Sequence, residues 1–135
     1  MLFRSHPTVL TPHAGELARL LGVERAEVER ARLASVEAAS SQAAVCVLLK
    51  GPDTLVVAPG EALRVVETAV PQLATAGAGD VLSGAIGALL ARGLSPVEAA
   101  SLGALAHGLA AGEAQELTGT LLASDLEGPL ARLLA

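Results

Sequence analysis

The chain has 135 residues, which suits one small domain or part of a larger one. Hydrophobic residues make up 52% of it and aromatic residues only 1%, so a core must be built from Ala, Leu and Val. The formal net charge is −5, without any long run of like charges. This balance argues against a nucleic-acid-binding surface, which needs a clustered basic face.

The single cysteine, Cys46, excludes an internal disulfide and a Cys-based zinc site. It lies in the apolar run 45–49, where a small buried hydrophobe is favoured over a reactive thiol. No stretch approaches the roughly 18 apolar residues of a membrane helix. The segment from Met1 to Pro7 has no apolar core of a signal peptide. We therefore expect a cytoplasmic protein.

The first half of the sequence alternates predicted strands and helices, as in an α/β chain. A buried strand ends at Leu10, and Gly22 is predicted to cap a short helix in the left-handed conformation. The continuous apolar run before Lys50 predicts a buried strand that is parallel to its neighbours. The predicted helices are 14–21 and 25–40, and the predicted strands are 8–10, 44–49, 54–58 and 63–66, the last two forming a hairpin.

The last third is predicted to be helical. One helix runs from Gly79 or Asp80 to Arg92, with Gly93 as its cap. Ser95–Glu98 is a capping box that opens a helix to about Glu116, and 124–127 is a second box before the terminal helix. Residues 67–78 are left as a loop of about twelve residues, a length that is usually functional.

The segment Gly77-Ala78-Gly79-Asp80 is the chemical centre of the sequence. Its glycines and the following helix start offer unpaired amides and a positive dipole end, which predicts a phosphoryl-binding turn. Asp80 would repel an anion unless it takes a proton from an attacking hydroxyl, which is the work of a general base. Alternatively, Asp80 is only a helix cap and the glycines serve close packing.

Two further segments carry candidate site residues. Thr11–Glu16 follows a strand end, where ligands bind in open α/β sheets, so His13 could contact a substrate and Glu16 could hold it. Helix-start roles for Thr11 and Glu16 are the alternative. Lys50, the only lysine, ends a buried strand and suits a phosphate or nucleotide edge, unless it is merely solvated. His107 lies in an apolar helix and is predicted to be packed rather than ligand-binding.

Five segments, in this order, resemble the ribokinase-like superfamily and, more closely, the bacterial ADP-dependent NAD(P)H-hydrate dehydratases. TPHAGE resembles the family's TPHPGE, and VLLKG resembles its VVLKG. The segments are Thr11–Glu16, Val47–Gly51, Leu73–Leu82, Leu105–Ala110 and Leu122–Leu126. Departures are Ala14 for Pro, Gln72 for Gly, and Ala76 and Ala78 within the glycine turn. The dinucleotide fingerprint and the P-loop do not fit, because of Leu82 and the missing Gly-Lys-Ser/Thr.

The resemblance implies a ribokinase-like three-layer α/β fold and a repair reaction. A hydrated nicotinamide cofactor would be phosphorylated on its hydroxyl at the expense of ADP or ATP, and phosphate would then leave. Mg²⁺ is expected as a partner of the phosphates, not as an ion held by protein ligands alone. The implied roles are Asp80 as base; Gly77, Ala78 and Gly79 as anion hole; His13, Glu16 and Asp80 at the hydrate; and Lys50, Gly51, Pro52, Asp53, Thr54 and Gly79 at the nucleotide.

Family domains are much longer than this chain. The resemblance therefore implies that residues 1–135 form the C-terminal half of such a domain, with few central strands and a hairpin. A homo-oligomer or a complementing N-terminal half is then the expected partner. Two alternatives stay open: a ribokinase-like kinase of a vitamin precursor, and a non-catalytic half-domain that only assembles with a partner.

Overall fold

The sheet is mixed and lies between two helical layers. A computed structural model describes residues 5–67 and 75–135, and in these ranges four strands pair in the order β1-β2-β3-β4. Strands β1 and β2 are parallel, whereas β2, β3 and β4 pair antiparallel in sequence order. The strands are β1 (Val9–Leu10), β2 (Cys46–Leu49), β3 (Asp53–Val57) and β4 (Arg64–Glu67).

Helices cover both faces of this sheet. On one face, Val47 and Leu49 of β2 pack against the first three helices; on the other, Cys46 and Leu48 pack against α4 and α5. Burial on both faces explains why β2 reads as an unbroken apolar run. The helices are α1 (Ala14–Leu21), α2 (Arg25–Arg30), α3 (Arg32–Ala43), α4 (Ala78–Ala91), α5 (Pro96–Thr118) and α6 (Glu127–Leu133).

Local sequence signals set most helix ends. Gly22 closes α1 with a φ of 69°, as predicted. After α4, Gly93 adopts a φ of 92°, and the N–H of Leu94 donates to the carbonyl of Leu89, which completes a Schellman motif. The Ser95 hydroxyl accepts from the N–H of Glu98, whose carboxylate accepts from the Ser95 N–H. The predicted capping box of α5 is therefore confirmed.

The single helix predicted over 25–40 is wrong in one respect. The chain breaks at Ala31, whose φ of −134° and ψ of 54° are not helical. The break separates α2, which packs on α1, from α3, which packs on β2 and β3. Leu33, the second residue of α3, is 43% exposed.

The second predicted capping box is also wrong. Asp125 accepts a hydrogen bond from the N–H of Leu122 at 2.8 Å, so the chain turns two residues earlier than expected. A 3₁₀ turn over Ala123–Leu126 then precedes α6. The hydrophobic Leu126 that ends this turn is fully buried, which draws the turn onto the α5 layer.

Cys46 is buried in the sheet, and burial raises the pKa of its thiol to about 11. The thiol is therefore protonated at neutral pH, as a packed hydrophobe would be. Of the predicted loop over 67–78, residues 68–74 lie outside the described ranges. Neither 5–67 nor 75–135 contains a helix that is long and apolar enough to cross a membrane.

Candidate functional site

The three segments singled out in the sequence meet at one edge of the sheet. The N–H of Lys50 donates to the carbonyl of Pro12 at 3.0 Å, which joins the ends of β1 and β2. The hydroxyls of Thr11 and Ser83 lie 3.2 Å apart, which joins β1 to α4. A Cβ built on Gly79 would lie 3.0 Å from Lys50 Nζ. The lysine ammonium therefore rests on the backbone of the glycine turn.

The turn itself has the geometry of a helix start with spare amides. Gly77 adopts a φ of 85°, a left-handed conformation that favours glycine. The N–H of Ala78 donates to the carbonyl of Thr75 at 3.1 Å, so this predicted anion-hole member is already paired. Within the described ranges, no carbonyl accepts from the N–H of Gly77 or Gly79. These two amides and the dipole of α4 remain for an anion.

Asp80 is the third residue of α4 and is exposed beside this turn. Ser83, one turn further along, donates its hydroxyl hydrogen to the carbonyl of Gly79 at 3.1 Å. The turn thus presents a carboxylate next to a lysine cation and two free amides. Such a set can neutralise a phosphoryl group and accept a proton from a neighbouring hydroxyl.

His107 contacts the glycine turn from its buried side. It is 6% exposed and its Nε2 lies 2.9 Å from the carbonyl oxygen of Ala78. Since a carbonyl only accepts, Nε2 carries the hydrogen. Burial lowers the pKa of His107, and the nearby charge of Lys50 lowers it further, against the opposing effect of the Ala78 carbonyl. The prediction of a packed histidine is confirmed.

His13 and Glu16 form a capping box for α1. His13 Nδ1 accepts from the N–H groups of Gly15 and Glu16, at 3.0 and 3.2 Å. Glu16 Oε2 in turn accepts from the N–H of His13 at 2.8 Å. His13, not Thr11, is thus the helix-start residue, and its Nε2 lies 3.6 Å from Glu16 Oε1. Both side chains are about half exposed, at 56% and 50%.

The predicted nucleotide-binding residues divide into two groups. Gly51, Pro52 and Asp53 are exposed on the connection between β2 and β3. Thr54 is only 6% exposed, so its side chain is part of the core and not of the open edge.

Two of the residues at this edge were not predicted from the sequence. Arg32 Nη2, at the first residue of α3, donates to the carbonyl of Asp53 at 2.6 Å. Ser83 links Thr11 to the glycine turn. Neither lies in a recognisable pattern, because an arginine near a helix start and a serine inside a helix are ordinary surface residues. Among the described residues, no cluster of three His, Cys, Asp or Glu side chains could hold a metal.

Comparisons with known proteins decide the family. The family profile of the NAD(P)H-hydrate dehydratases matches residues 2–132. The chain belongs to the NAD(P)H-hydrate dehydratase family. It is 46% identical over 129 residues to the ADP-dependent (S)-NAD(P)H-hydrate dehydratase of Neisseria meningitidis serogroup B. It is 43% identical over 132 residues to the bifunctional NAD(P)H-hydrate repair enzyme Nnr of Escherichia coli.

The chain spans less than half the length of these curated relatives. The alignment covers 93% of it but 43% of the Neisseria enzyme, and 96% of it but 26% of the bifunctional one. A solved structure is similar over 99% of the chain, with a TM-score of 0.87 and 29% identity, and the match covers 50% of that protein. It is the ADP/ATP-dependent NAD(P)H-hydrate dehydratase of Bacillus subtilis, co-crystallised with ATP and Mg²⁺.

Solved ribokinase-like proteins also superpose on this chain. The predicted ribokinase-like α/β fold, with helices on both faces of the sheet, is therefore confirmed.

Proposed function

We propose that this chain forms the phosphoryl-transfer part of an ADP- or ATP-dependent NAD(P)H-hydrate dehydratase. The observation that carries the proposal is the position of Lys50 Nζ against Gly79, beside Asp80. A family match over residues 2–132 accompanies this arrangement. The substrates would be hydrated NADH or NADPH and a nucleotide. The nucleotide would phosphorylate the hydrate hydroxyl, and loss of phosphate from the hydrate would regenerate the intact nicotinamide cofactor.

In this reaction Asp80 would accept the proton of the hydrate hydroxyl. The hydroxyl oxygen would bond to the terminal phosphorus of the nucleotide, and the bond from that phosphorus to the leaving oxygen would break. The amides of Gly77 and Gly79 would donate to the negative charge that develops on the transferred group. Lys50 would offset the same charge from the β2 side, while Ala78 contributes backbone shape because its own N–H is already paired.

The hydrate would lie towards α1. His13 Nε2 is exposed and carries a hydrogen, because Nδ1 accepts from the two helix-start amides. It can therefore donate to an oxygen of the hydrate. Glu16 would fix the orientation of His13 through the capping box. The nucleotide would lie along Gly51–Asp53, with Thr54 contributing through its backbone, since its side chain is buried.

Mg²⁺ fits this site as a partner of the nucleotide phosphates. The exposed carboxylate of Asp80 lies at the glycine turn, and the described residues offer no cluster of three ligands that would hold a metal alone. Mg²⁺ prefers one or two carboxylates together with phosphate oxygens and water. When bound, it would supply additional positive charge at the phosphates.

We further propose that the other part of a dehydratase domain covers the free edge of β1. Among residues 5–67 and 75–135, strand β1 pairs with β2 alone. A groove of about 220 Å³ runs beside it, lined by residues that include Thr11, Ser83, Ile86 and Leu90. The match to half of the Bacillus structure supports an additional part of comparable length. Because Thr11 and Ser83 line this groove, its occupant would also border the site.

The test combines this chain with the part of the Neisseria meningitidis enzyme that it does not cover. Hydrated NADH, ADP and Mg²⁺ are added, and the ultraviolet absorbance of the reduced nicotinamide is followed. We expect recovery of NADH that requires ADP. Phosphorylation of a thiazole or pyrimidine alcohol without any recovery of NADH would contradict the lyase and favour the kinase alternative.

Asp80→Asn tests the base. In the completed enzyme, which is this chain combined with the remaining part of the Neisseria enzyme, we expect turnover to fall at least about 10²-fold. The amide of Asn cannot accept the proton. ADP affinity should be retained, since the amides of Gly77 and Gly79 and the shape of the turn are kept. Glu37→Gln, on the exposed surface of α3, is the matched control and should leave turnover unchanged. Full activity in Asp80→Asn would show that another group takes the proton.

A further inference from the structure

Arg32 reaches across from the helical layer to the connection between β2 and β3. It is half-buried at the start of α3, directly after the helix break at Ala31. Its Nη2 donates to the carbonyl of Asp53 at 2.6 Å. A charged donor on a backbone carbonyl makes a stronger hydrogen bond than a neutral one. The hydrogen bond therefore holds the first residue of β3 in place.

The same guanidinium lies flat against Gly51. A Cβ built on Gly51 would come within 2.7 Å of Arg32 Cζ, which is closer than real Cβ contacts. Gly51 does not have a positive φ, so its backbone conformation does not demand glycine. Space for Arg32 is the reason that glycine fits at this position.

Lys50 is thus fixed from two sides. Its own N–H donates to the carbonyl of Pro12, and the residues that follow it are held by Arg32. A displacement of this connection would move the lysine ammonium away from Gly79. The break at Ala31 permits the contact, because it starts α3 at Arg32 with the side chain directed at the connection.

We propose that Arg32 is a positioning residue for nucleotide binding, which acts by holding Gly51–Asp53 so that Lys50 faces the glycine turn. The choice of nucleotide as ligand rests on the proposed function. The hold on the connection rests on Arg32, Gly51 and Asp53 alone. Arg32 acts through the backbone of this connection and not through the reacting atoms.

A double-mutant cycle tests the proposal in the completed enzyme, with ADP and Mg²⁺ titrated by calorimetry. We expect Arg32→Ala to weaken ADP binding about tenfold, which corresponds to about 1.4 kcal/mol. Gly51→Ala should weaken it similarly, because the new Cβ displaces the guanidinium. Once Arg32 is removed, that Cβ has room, so the double variant should bind ADP no worse than Arg32→Ala. Fully additive losses would overturn the proposal.

Two controls separate position from charge and from stability. Arg32→Lys keeps the positive charge without the planar fork, and full recovery of ADP affinity in this variant would contradict a positioning role. Arg30→Ala removes an exposed arginine of α2 and should leave ADP affinity unchanged. Thermal unfolding of each variant reports whether the fold is kept.

Amide hydrogen exchange of Lys50, Gly51, Asp53 and Thr54 makes the outcome independent of the ligand. We expect faster exchange in Arg32→Ala than in the parent chain, because the connection is released. If amide exchange is faster in Arg32→Ala but the parent chain does not bind ADP, the proposed nucleotide site is wrong. The stabilisation of the connection by Arg32 is then still supported. If exchange and ADP affinity are both unchanged in Arg32→Ala, the inference about Arg32 is wrong.

Discussion

At the scale of single residues, His107 couples the stability of the site to pH. Its ring is buried and donates from Nε2 to the carbonyl of Ala78, the first residue of α4. Burial lowers the pKa of His107 below its ordinary value of 6.5. At a pH between the lowered pKa of the folded state and 6.5, the unfolded chain binds more protons than the folded chain. The free energy of unfolding therefore decreases as the pH falls. The loss begins near pH 6.5 and is complete below the pKa of the folded state.

His107→Gln tests this linkage. The variant keeps a donor for the Ala78 carbonyl but cannot titrate, so we expect it to lose less unfolding free energy than the parent between pH 7 and pH 5. Urea unfolding at a series of pH values measures the difference. His6→Gln removes an exposed imidazole and should keep the parental acid sensitivity, because His107 is still present. Equal acid losses in parent and His107→Gln would exclude the linkage.

At the scale of elements, α4 and α5 pack so closely that the volume of a side chain between them affects the stability of the chain. A Cβ built on Gly103 of α5 would lie 2.6 Å from Ile86 Cγ1 of α4. The interface is otherwise made of small residues such as Ala99, Ala100 and Ala104, which are fully or almost fully buried. An extra methyl group cannot enter it without displacing Ile86.

Gly103→Ala should therefore destabilise the chain, because overpacking costs about 1–3 kcal/mol. The higher helix propensity of alanine offsets up to about 1 kcal/mol of this cost. Gly84→Ala is the matched control, because a Cβ on Gly84 meets nothing within 4 Å. It should raise stability by roughly 0.5–1 kcal/mol, since α4 gains an alanine without a clash. The denaturant midpoint of each variant shows whether the substitution stabilises or destabilises the chain. A stabilising Gly103→Ala would show that α4 and α5 move apart easily to admit the added methyl group.

At the scale of the whole molecule, the fold ends in an open side. Strand β1 is at the edge of the sheet, and α4 exposes small residues such as Gly87 and Ala88. Open strand edges and apolar grooves in proteins are usually covered. The proposed additional part of the domain would supply this cover.

Gly87→Glu tests the open side without disturbing the chain itself. A Cβ at Gly87 meets nothing within 4 Å, yet Gly87 lines the groove beside β1. We expect the variant to keep the parental unfolding temperature but to lose association with the remaining part of the Neisseria enzyme. The mass of the complex in solution is the measurement. Gly128→Glu, on the exposed surface of α6, should associate like the parent, and equal association by both variants would place the contact elsewhere.

Local signals made most elements readable in advance. Left-handed glycines, the Ser95 capping box and the apolar run of β2 act within a few residues, so the sequence predicted them correctly. The helix break at Ala31 was missed because no Gly or Pro marks it; packing of α2 on α1 and of α3 on the sheet accompanies it. The early turn at Leu122 was missed because burial of Leu126 outweighed the Ser124 pattern.

The sequence by itself determined the family motifs and the α/β alternation, and it predicted a phosphoryl-binding turn at Gly77–Asp80. Only the tertiary structure decided which donors stay free: Ala78 is paired to Thr75, and His13 commits Nδ1 to its helix. It also revealed Arg32 on Gly51 and His107 beneath Ala78. These contacts join residues that are distant along the chain, and such pairings depend on how the layers pack, which no short pattern records.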